Sequence, residues 1–166
     1  TISAFQKSIR GSDVDAALHY LARLLQAGEL SIVCRRLLVT AYEDISFGNP
    51  DAVSRTLSAI QAAERLGMPE ARIPLAHAVI DLCLSPKSNT AYQAINLAFD
   101  DLEQGASFDI PKHLHDPSYI PKQEQAPYLY PHDYPMNWVH QEYLPKDLKG
   151  RTYYIPKVTG KYEQAL

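Results

Sequence analysis

The chain has 166 residues, 46% hydrophobic and 21% charged, with a formal net charge of −3. That is the length of one ordinary domain, and the apolar fraction excludes a disordered chain. The mild acidity offers no global electrostatic grip on nucleic acid, and no stretch nears the ~18 uninterrupted apolar residues that a membrane-spanning helix requires.

The opening residues Thr1–Lys7 lack the basic and apolar regions of a secretory signal, and a first residue other than Met points to a piece of a longer chain. Residues 2–9 suit a short leading helix. Ser12-Asp13-Val14-Asp15 then reads as a helix start, with a hydroxyl cap and acids favoured by the helix dipole. Val14, Ala17, Leu18, Leu21, Leu24 and Leu25 follow with helical spacing up to Gly28. The next helix begins near Ser31, places Cys34, Leu37, Leu38, Ala41 and Ile45 on one face, and stops around Gly48. Asn49-Pro50 caps and opens another, with the stripe Val53, Leu57, Ile60, Ala63 and a stop at Gly67. Residues 69–84 are apolar nearly all round (Ile73, Leu75, Ala76, Val79, Ile80, Leu82, Cys83), which predicts the central, buried helix. Ser85-Pro86-Lys87-Ser88 breaks it, and Ala91, Ile95, Ala98 and Leu102 align in the following helix up to Gly105. Cys34 and Cys83 both lie in these apolar patterns and read as reduced core residues of a cytoplasmic protein. The breaks recur every 19 or 20 residues, a spacing that suits a helical solenoid, but no side-chain signature repeats with them.

Composition changes after Gly105. Eight of the twelve prolines and eight of the eleven tyrosines lie in residues 106–166, so long helices are excluded there. Disordered proline-rich tails are poor in aromatics, whereas Tyr130, Tyr134, Trp138 and Tyr143 are rings able to bury large area. The expected fold is therefore all-α: a helical bundle over 1–105, with an irregular proline- and tyrosine-rich segment over 106–166 packed on it as one compact domain. Within the wrap, a short helix near Met136–Tyr143 and an extended pair around Tyr153–Ile155 are predicted. Tyr130, His132, Tyr134, Trp138 and Tyr143 are candidate interface residues.

Nothing in the sequence carries catalysis. There is no phosphate-cradling glycine loop, no C-x-x-C, no H-E-x-x-H and no G-x-S-x-G. His113-Leu114-His115-Asp116, with His132-Asp133, is the sole compact group of metal-competent side chains, but bracketing prolines and the frequency of chance His-x-His pairs favour surface histidines over a metal site or a metallohydrolase. Lys7, Arg10, Arg35, Arg36 and Lys87 flank helix ends or breaks. They are candidate contacts for DNA, another anion or a neighbouring subunit, against the simpler reading of a solvated face or intrachain ion pairs. Ser85–Asn89 offers helix N-terminal amides beside Lys87, an arrangement that a plain helix–helix turn shares.

The stretch Ser3 to Ala17 resembles the opening of the C-terminal region of the RarA/MgsA family of AAA+ ATPases, whose eukaryotic relative is the Werner-helicase-interacting protein. The likeness continues through Leu21-Ala22-Arg23, Arg35-Arg36-Leu37, Glu43-Asp44-Ile45, the run Gly67 to Ala76 and Pro86 to Tyr92. It returns at His113-Leu114, at Tyr130-Pro131-His132-Asp133-Tyr134-Pro135 and at Gln141 to Pro145. Two stretches depart from the family pattern. Ser46-Phe47-Gly48 stands where relatives tend to have a Gly-Leu-Ala-like run, and Met136-Asn137 replaces a small glycine-rich pair before Trp138.

The resemblance implies a fragment whose ATPase domain and helical lid lie upstream, so that ATP and Mg belong there and no cofactor, metal or catalytic residue lies here. It implies a fold similar to the clamp-loader collar, a homotetramer, and a role at stalled replication forks and in recombination. DNA and single-stranded DNA-binding protein are the implied partners of the full protein, in the bacterial cytoplasm at the nucleoid. A DNA- or partner-binding module using the basic groups is the alternative reading.

Overall fold

The computed structural model describes residues 1–106 and 109–165. Seven α-helices and no strands occur among the described residues, so the all-α expectation is met. The chain forms two compact units. Residues 1–96 and 154–166 make a bundle unit, and residues 97–153 make a proline-rich unit. The composition shift at Gly105 thus falls inside the second unit.

In the bundle unit, α1 (Ile2–Arg10) leads into α2 (Val14–Gln26). The cap of α2 is Asp13 rather than Ser12: its carboxylate accepts from the Ala16 N–H at 3.0 Å, while Ser12 holds a left-handed φ of 61° in the turn before it. Helix α3 (Leu30–Thr40) passes into a wider π turn, Ala41–Ile45, and then a 3₁₀ turn, Ser46–Gly48. Helix α4 (Pro50–Leu66) is capped by Asn49, as expected. Its buried stripe runs through Ala52, Val53, Thr56, Ile60 and Ala63, so Leu57, expected inside, faces outward.

Helix α5 (Arg72–Leu84) packs against α1, α2 and α4, which makes it central as predicted. A solenoid repeat would touch only its neighbours in sequence; the contacts of α5 with α1 and α2 close a bundle instead. The core is built from Phe5, Ile9, Leu21, Leu37, Ile45, Leu75, Val79 and Leu82. Burial of α5 is nevertheless one-sided, because Ile73 and Leu84 stay 71% and 72% exposed. The Arg55 guanidinium grips Asp81 through two bonds, of 2.8 and 3.1 Å, and ties α4 to α5. Helix α6 (Thr90–Glu103) is the exception: no other helix packs along it, and Thr90 is its one buried residue among those described. The short α7 (Lys161–Gln164) belongs to the bundle unit.

Beyond the C-terminal half of α6, the regular structure described in the proline-rich unit is 3₁₀ turns. Six of them, Lys112–Leu114, Pro117–Tyr119, Lys122–Glu124, Pro131–Asp133, Pro135–Asn137 and Lys146–Leu148, each begin at or directly after a proline. A ring-fixed φ near −65° starts a turn well and cannot propagate a helix. The helix expected near Met136–Tyr143 does not form, because Met136 and Asn137 adopt φ of 61° and 54° and end the turn. No extended pair forms around Tyr153–Ile155 either.

The departures from the family pattern coincide with strained backbone. Ser46 holds φ 43°, and Met136-Asn137 holds two successive left-handed residues. A side chain costs about 1–2 kcal/mol in that conformation, and glycine avoids the cost.

Two stability effects follow. Met136 is 93% exposed, so Met136→Gly removes left-handed strain without losing packing. After the extra entropy of unfolded glycine is subtracted, a gain of about 0.5 kcal/mol is expected in denaturant unfolding followed by the neighbouring Trp138 fluorescence. Gly48 has the opposite sensitivity. A Cβ there would run into the Pro86 carbonyl oxygen, so Gly48→Ala is expected to lower stability by about 2–3 kcal/mol in thermal melts followed by circular dichroism.

Candidate functional site

The break between α5 and α6 gathers hydrogen bonds from several segments of the bundle unit. Lys87 folds back so that Nζ donates to the carbonyls of Leu82, Cys83 and Ser85 at 3.1, 3.0 and 2.7 Å, and to Ser12 Oγ at 2.8 Å. A helix C-terminus leaves its last carbonyls unpaired and favours a cation, and Lys87 supplies both needs for α5. Burial pushes its ammonium below the ordinary lysine pKa. Its hydrogens are therefore shared among acceptors of its own chain.

One residue on, the Ser88 N–H donates to the Asp44 carbonyl at 2.8 Å, joining the π turn to the break. The C-terminal segment closes over both. Glu163, 3% exposed, accepts from Ser88 Oγ, from Thr90 Oγ1 at 3.0 Å, from the Tyr154 hydroxyl at 2.7 Å and from the Lys157 N–H at 3.3 Å. Lys157 Nζ reaches Asn89 Oδ1, Thr159 Oγ1 donates to the Lys87 carbonyl at 2.8 Å, and the Phe47 ring stacks on Tyr162 with centroids 5.5 Å apart. Burial alone would push the Glu163 carboxyl up, but the bonds from Ser88, Tyr154, Thr90 and Lys157 outweigh it and hold its pKa below the usual value. The same hydrogen bond to Glu163 pushes the Tyr154 phenol up to about 12.

The other sequence-predicted basic residues separate into two kinds. Arg10 is committed: its Nε donates to Asp44 Oδ1 at 2.8 Å, and that bond raises its pKa. Lys7 is exposed on α1. Arg35 and Arg36 are exposed on α3 beside Ile32, Val39 and Tyr42, and no carboxylate lies within ion-pair distance of either among the described residues.

In the proline-rich unit, His113 Nε2 shares a hydrogen bond with the Glu142 carbonyl at 2.6 Å and His115 Nε2 one with the Ile110 carbonyl at 3.0 Å, so both imidazoles brace loops. His132 lies against the Tyr130 ring, 5.2 Å between centroids. No group of three or more metal-competent side chains converges among the described residues. Tyr143 lines a surface hollow with His113, His115 and Tyr128, and accepts a bond from Gln141. Tyr130, Tyr134 and Trp138 remain exposed. Within this unit Asp101 takes two bonds from Arg151, of 2.8 and 3.3 Å, and one from the Tyr153 hydroxyl at 2.7 Å, which hold its carboxyl below the usual range.

Apolar residues of α6 lie outside. Ile95 and Leu102, which the spacing sets in line with Ala91 and Ala98 on α6, are 53% and 43% exposed, alongside Tyr92 and Phe99 at 46% and 58%. The spacing 92, 95, 99, 102 is the three-four-three rhythm of a coiled-coil seam. A second outward stripe, Ile73, His77, Ile80 and Leu84, runs along α5. The heptad rhythm on α6 was the available signal, since it competed on the same helix with the smaller Ala91/Ala98 face.

The clasp has a pH signature. A carboxyl with a depressed folded pKa stabilises above its unfolded pKa, near 4.5, and that contribution is lost as pH falls through the folded value. Acid unfolding of the wild type should therefore steepen below about pH 4.5, and Glu163→Gln should flatten that limb while lowering stability at pH 7 by about 1–3 kcal/mol. In ¹³C-tyrosine NMR one phenol should titrate near 12 and move down toward the ordinary value of 10.0 in Glu163→Gln.

Comparison with known proteins places the chain. The family described as MgsA AAA+ ATPase C terminal matches residues 11–166. The replication-associated recombination protein A of Bacillus subtilis is 60% identical over 168 residues, covering 99% of this chain and 40% of that protein. The protein of that name from Escherichia coli K12 is 35% identical, over 96% of this chain and 37% of its own length. The ATPase WRNIP1 of Dictyostelium discoideum is 31% identical, over 95% of this chain and 19% of its own. The chain thus spans about two fifths or less of these relatives. With a matching family over nearly its whole length, it belongs to the C-terminal domain family of the MgsA AAA+ ATPases.

Proposed function

We propose that this chain is the collar that joins the subunits of an AAA+ ATPase acting in replication-associated recombination, that it assembles as a homotetramer, and that it performs no catalysis itself. The observation that supports this reading is the exposed apolar seam of α6, a helix along which no other helix packs among the described residues. An isolated helix of about 12–15 residues is marginal in water and draws its stability from packing an apolar face. Contiguous exposed apolar side chains of this kind mark protein–protein contacts.

On this reading ATP and Mg are bound by the remainder of the protein, which hydrolyses ATP in response to DNA. The collar holds the subunits together so that several such sites act on one fork. DNA and single-stranded DNA-binding protein are partners of the assembled enzyme, in the bacterial cytoplasm at the nucleoid. No helix among the described residues is long and apolar enough to cross a membrane. Sedimentation velocity on this chain at tens of micromolar is expected to give a species of four subunits; a strict monomer at that concentration overturns the collar reading.

A second reading, DNA binding by the fragment itself, has one observation in its favour. Arg35 and Arg36 are exposed beside apolar side chains and lack carboxylate partners among the described residues, whereas Arg10 and Lys87 are consumed by intrachain bonds. Binding of single-stranded or duplex DNA that falls steeply with salt and disappears in Arg35→Ala/Arg36→Ala is the expected result on that reading, with Lys7→Ala making a smaller difference. Affinity unchanged by the double substitution would remove it.

A further inference from the structure

Resting on the collar reading, we infer that α6 is a self-pairing helix: its seam of Tyr92, Ile95, Phe99 and Leu102 packs antiparallel against the same seam of a second copy of this chain.

Two features point to that occupant and that direction, and a third to the form of the assembly. First, the three-four-three spacing reads the same in both directions, so an antiparallel partner meets an identical seam. Tyr92 then faces the copy's Leu102 and Ile95 faces its Phe99, each pair joining a ring to an aliphatic side chain. Parallel pairing would set Phe99 against Phe99 and Tyr92 against Tyr92.

Second, the charges of α6 are wrong for a solitary helix. Asp100, Asp101 and Glu103 all lie at its C-terminal end, where the helix dipole disfavours anions. Asp101 is neutralised by Arg151, while Asp100 and Glu103 face outward. The N-terminal end carries Lys157, held on Asn89 just before the first turn. Antiparallel pairing brings the acids of one copy beside the positive helix end and Lys157 of the other, at both ends of the contact. Parallel pairing stacks acid on acid.

Third, the seam is too small to stand for a whole assembly. Four side chains make the centre of an interface rather than the roughly 800 Å² per partner of a standard one. A two-fold contact also closes at two copies, so a tetramer needs a second face. The outward stripe of α5, with Ile73, Ile80 and Leu84, is available for it. The tetramer is then a dimer of dimers.

The test is disulfide trapping in the oxidised full chain, read by non-reducing electrophoresis and mass spectrometry of the linked peptides. In antiparallel pairing, residues 92 and 102 of different copies face each other, while like positions lie about 15 Å apart along the axis, at 1.5 Å per residue. That exceeds disulfide reach. Tyr92→Cys and Leu102→Cys are therefore each expected to remain unlinked alone and to form a 92–102 intermolecular disulfide when co-expressed. The native Cys34 and Cys83 are buried, with thiols pushed up by burial, and do not compete. Either single variant linking to itself, or no link in the mixture, overturns the proposal. The two readings come apart in sedimentation. In Ile95→Asp/Phe99→Asp, both exposed positions, the pairing predicts that the wild-type assembly falls to half its mass or less. An unchanged assembly sinks the α6 pairing and leaves the collar intact, whereas a monomeric wild type sinks both.

Discussion

A buried carboxylate with no cation within ion-pair distance among the described residues organises this fold. Glu163 is held as an anion by two side-chain hydroxyls of the α5–α6 break, a phenol and a backbone N–H. Desolvation opposes such an arrangement, and four donors offset it, one on Oε1 and three on Oε2. The consequence is that the last dozen residues are part of the bundle unit, although a long proline-rich stretch separates them from it in sequence.

The same junction explains why the chain accepts strain around residue 46. The π turn at Ala41–Ile45 carries Asp44 to Arg10 and lets its carbonyl receive Ser88, and Ser46 then needs a left-handed φ to bring Gly48 under Pro86. Gly160 touches Gly48 from the other side, where a Cβ would lie 2.7 Å from the Gly48 carbonyl oxygen. Three segments distant in sequence therefore meet backbone to backbone, with no room for side chains. Lys87 belongs to this construction and not to a ligand site: the features that make it resemble an anion-binding lysine, a position at a helix break beside serines, are the features that let it cap α5.

Much of the architecture was legible. Helices α1 to α6 were anticipated near their observed positions, because helical spacing of Leu, Ile and Ala and the caps at Asn49 and Gly67 are local signals. The failures share one cause. Leu57 and Ile73 belong by spacing to apolar faces expected inside, Ile95 and Leu102 only line up along α6, and all four are exposed, because an apolar residue in phase with a stripe looks the same in sequence whether it faces its own core or open surface. On α5 and α6 two apolar stripes compete, and only the neighbouring helices choose between them. In the proline-rich unit the prolines announced an absence of helix, but the six 3₁₀ turns depended on which carbonyls, at a proline or just before one, found the N–H three residues on in range.

By itself the sequence determined the helical class, the break points, the change of character after Gly105 and, through long ordered motifs, the family. Those properties depend on residues close together in the chain, where periodicity, capping and ring-fixed φ act locally. Tertiary structure alone decided that Glu163 is the clasp, that Lys87 and Arg10 are spent within the chain while Arg35 and Arg36 are free of carboxylates among the described residues, and that α6 shows its larger apolar face to solvent. Apart from the local carbonyls that Lys87 also caps, these depend on pairs 34 to 75 residues apart or on the want of a neighbour. Burial is a property of the assembled surroundings, and no single helix encodes it.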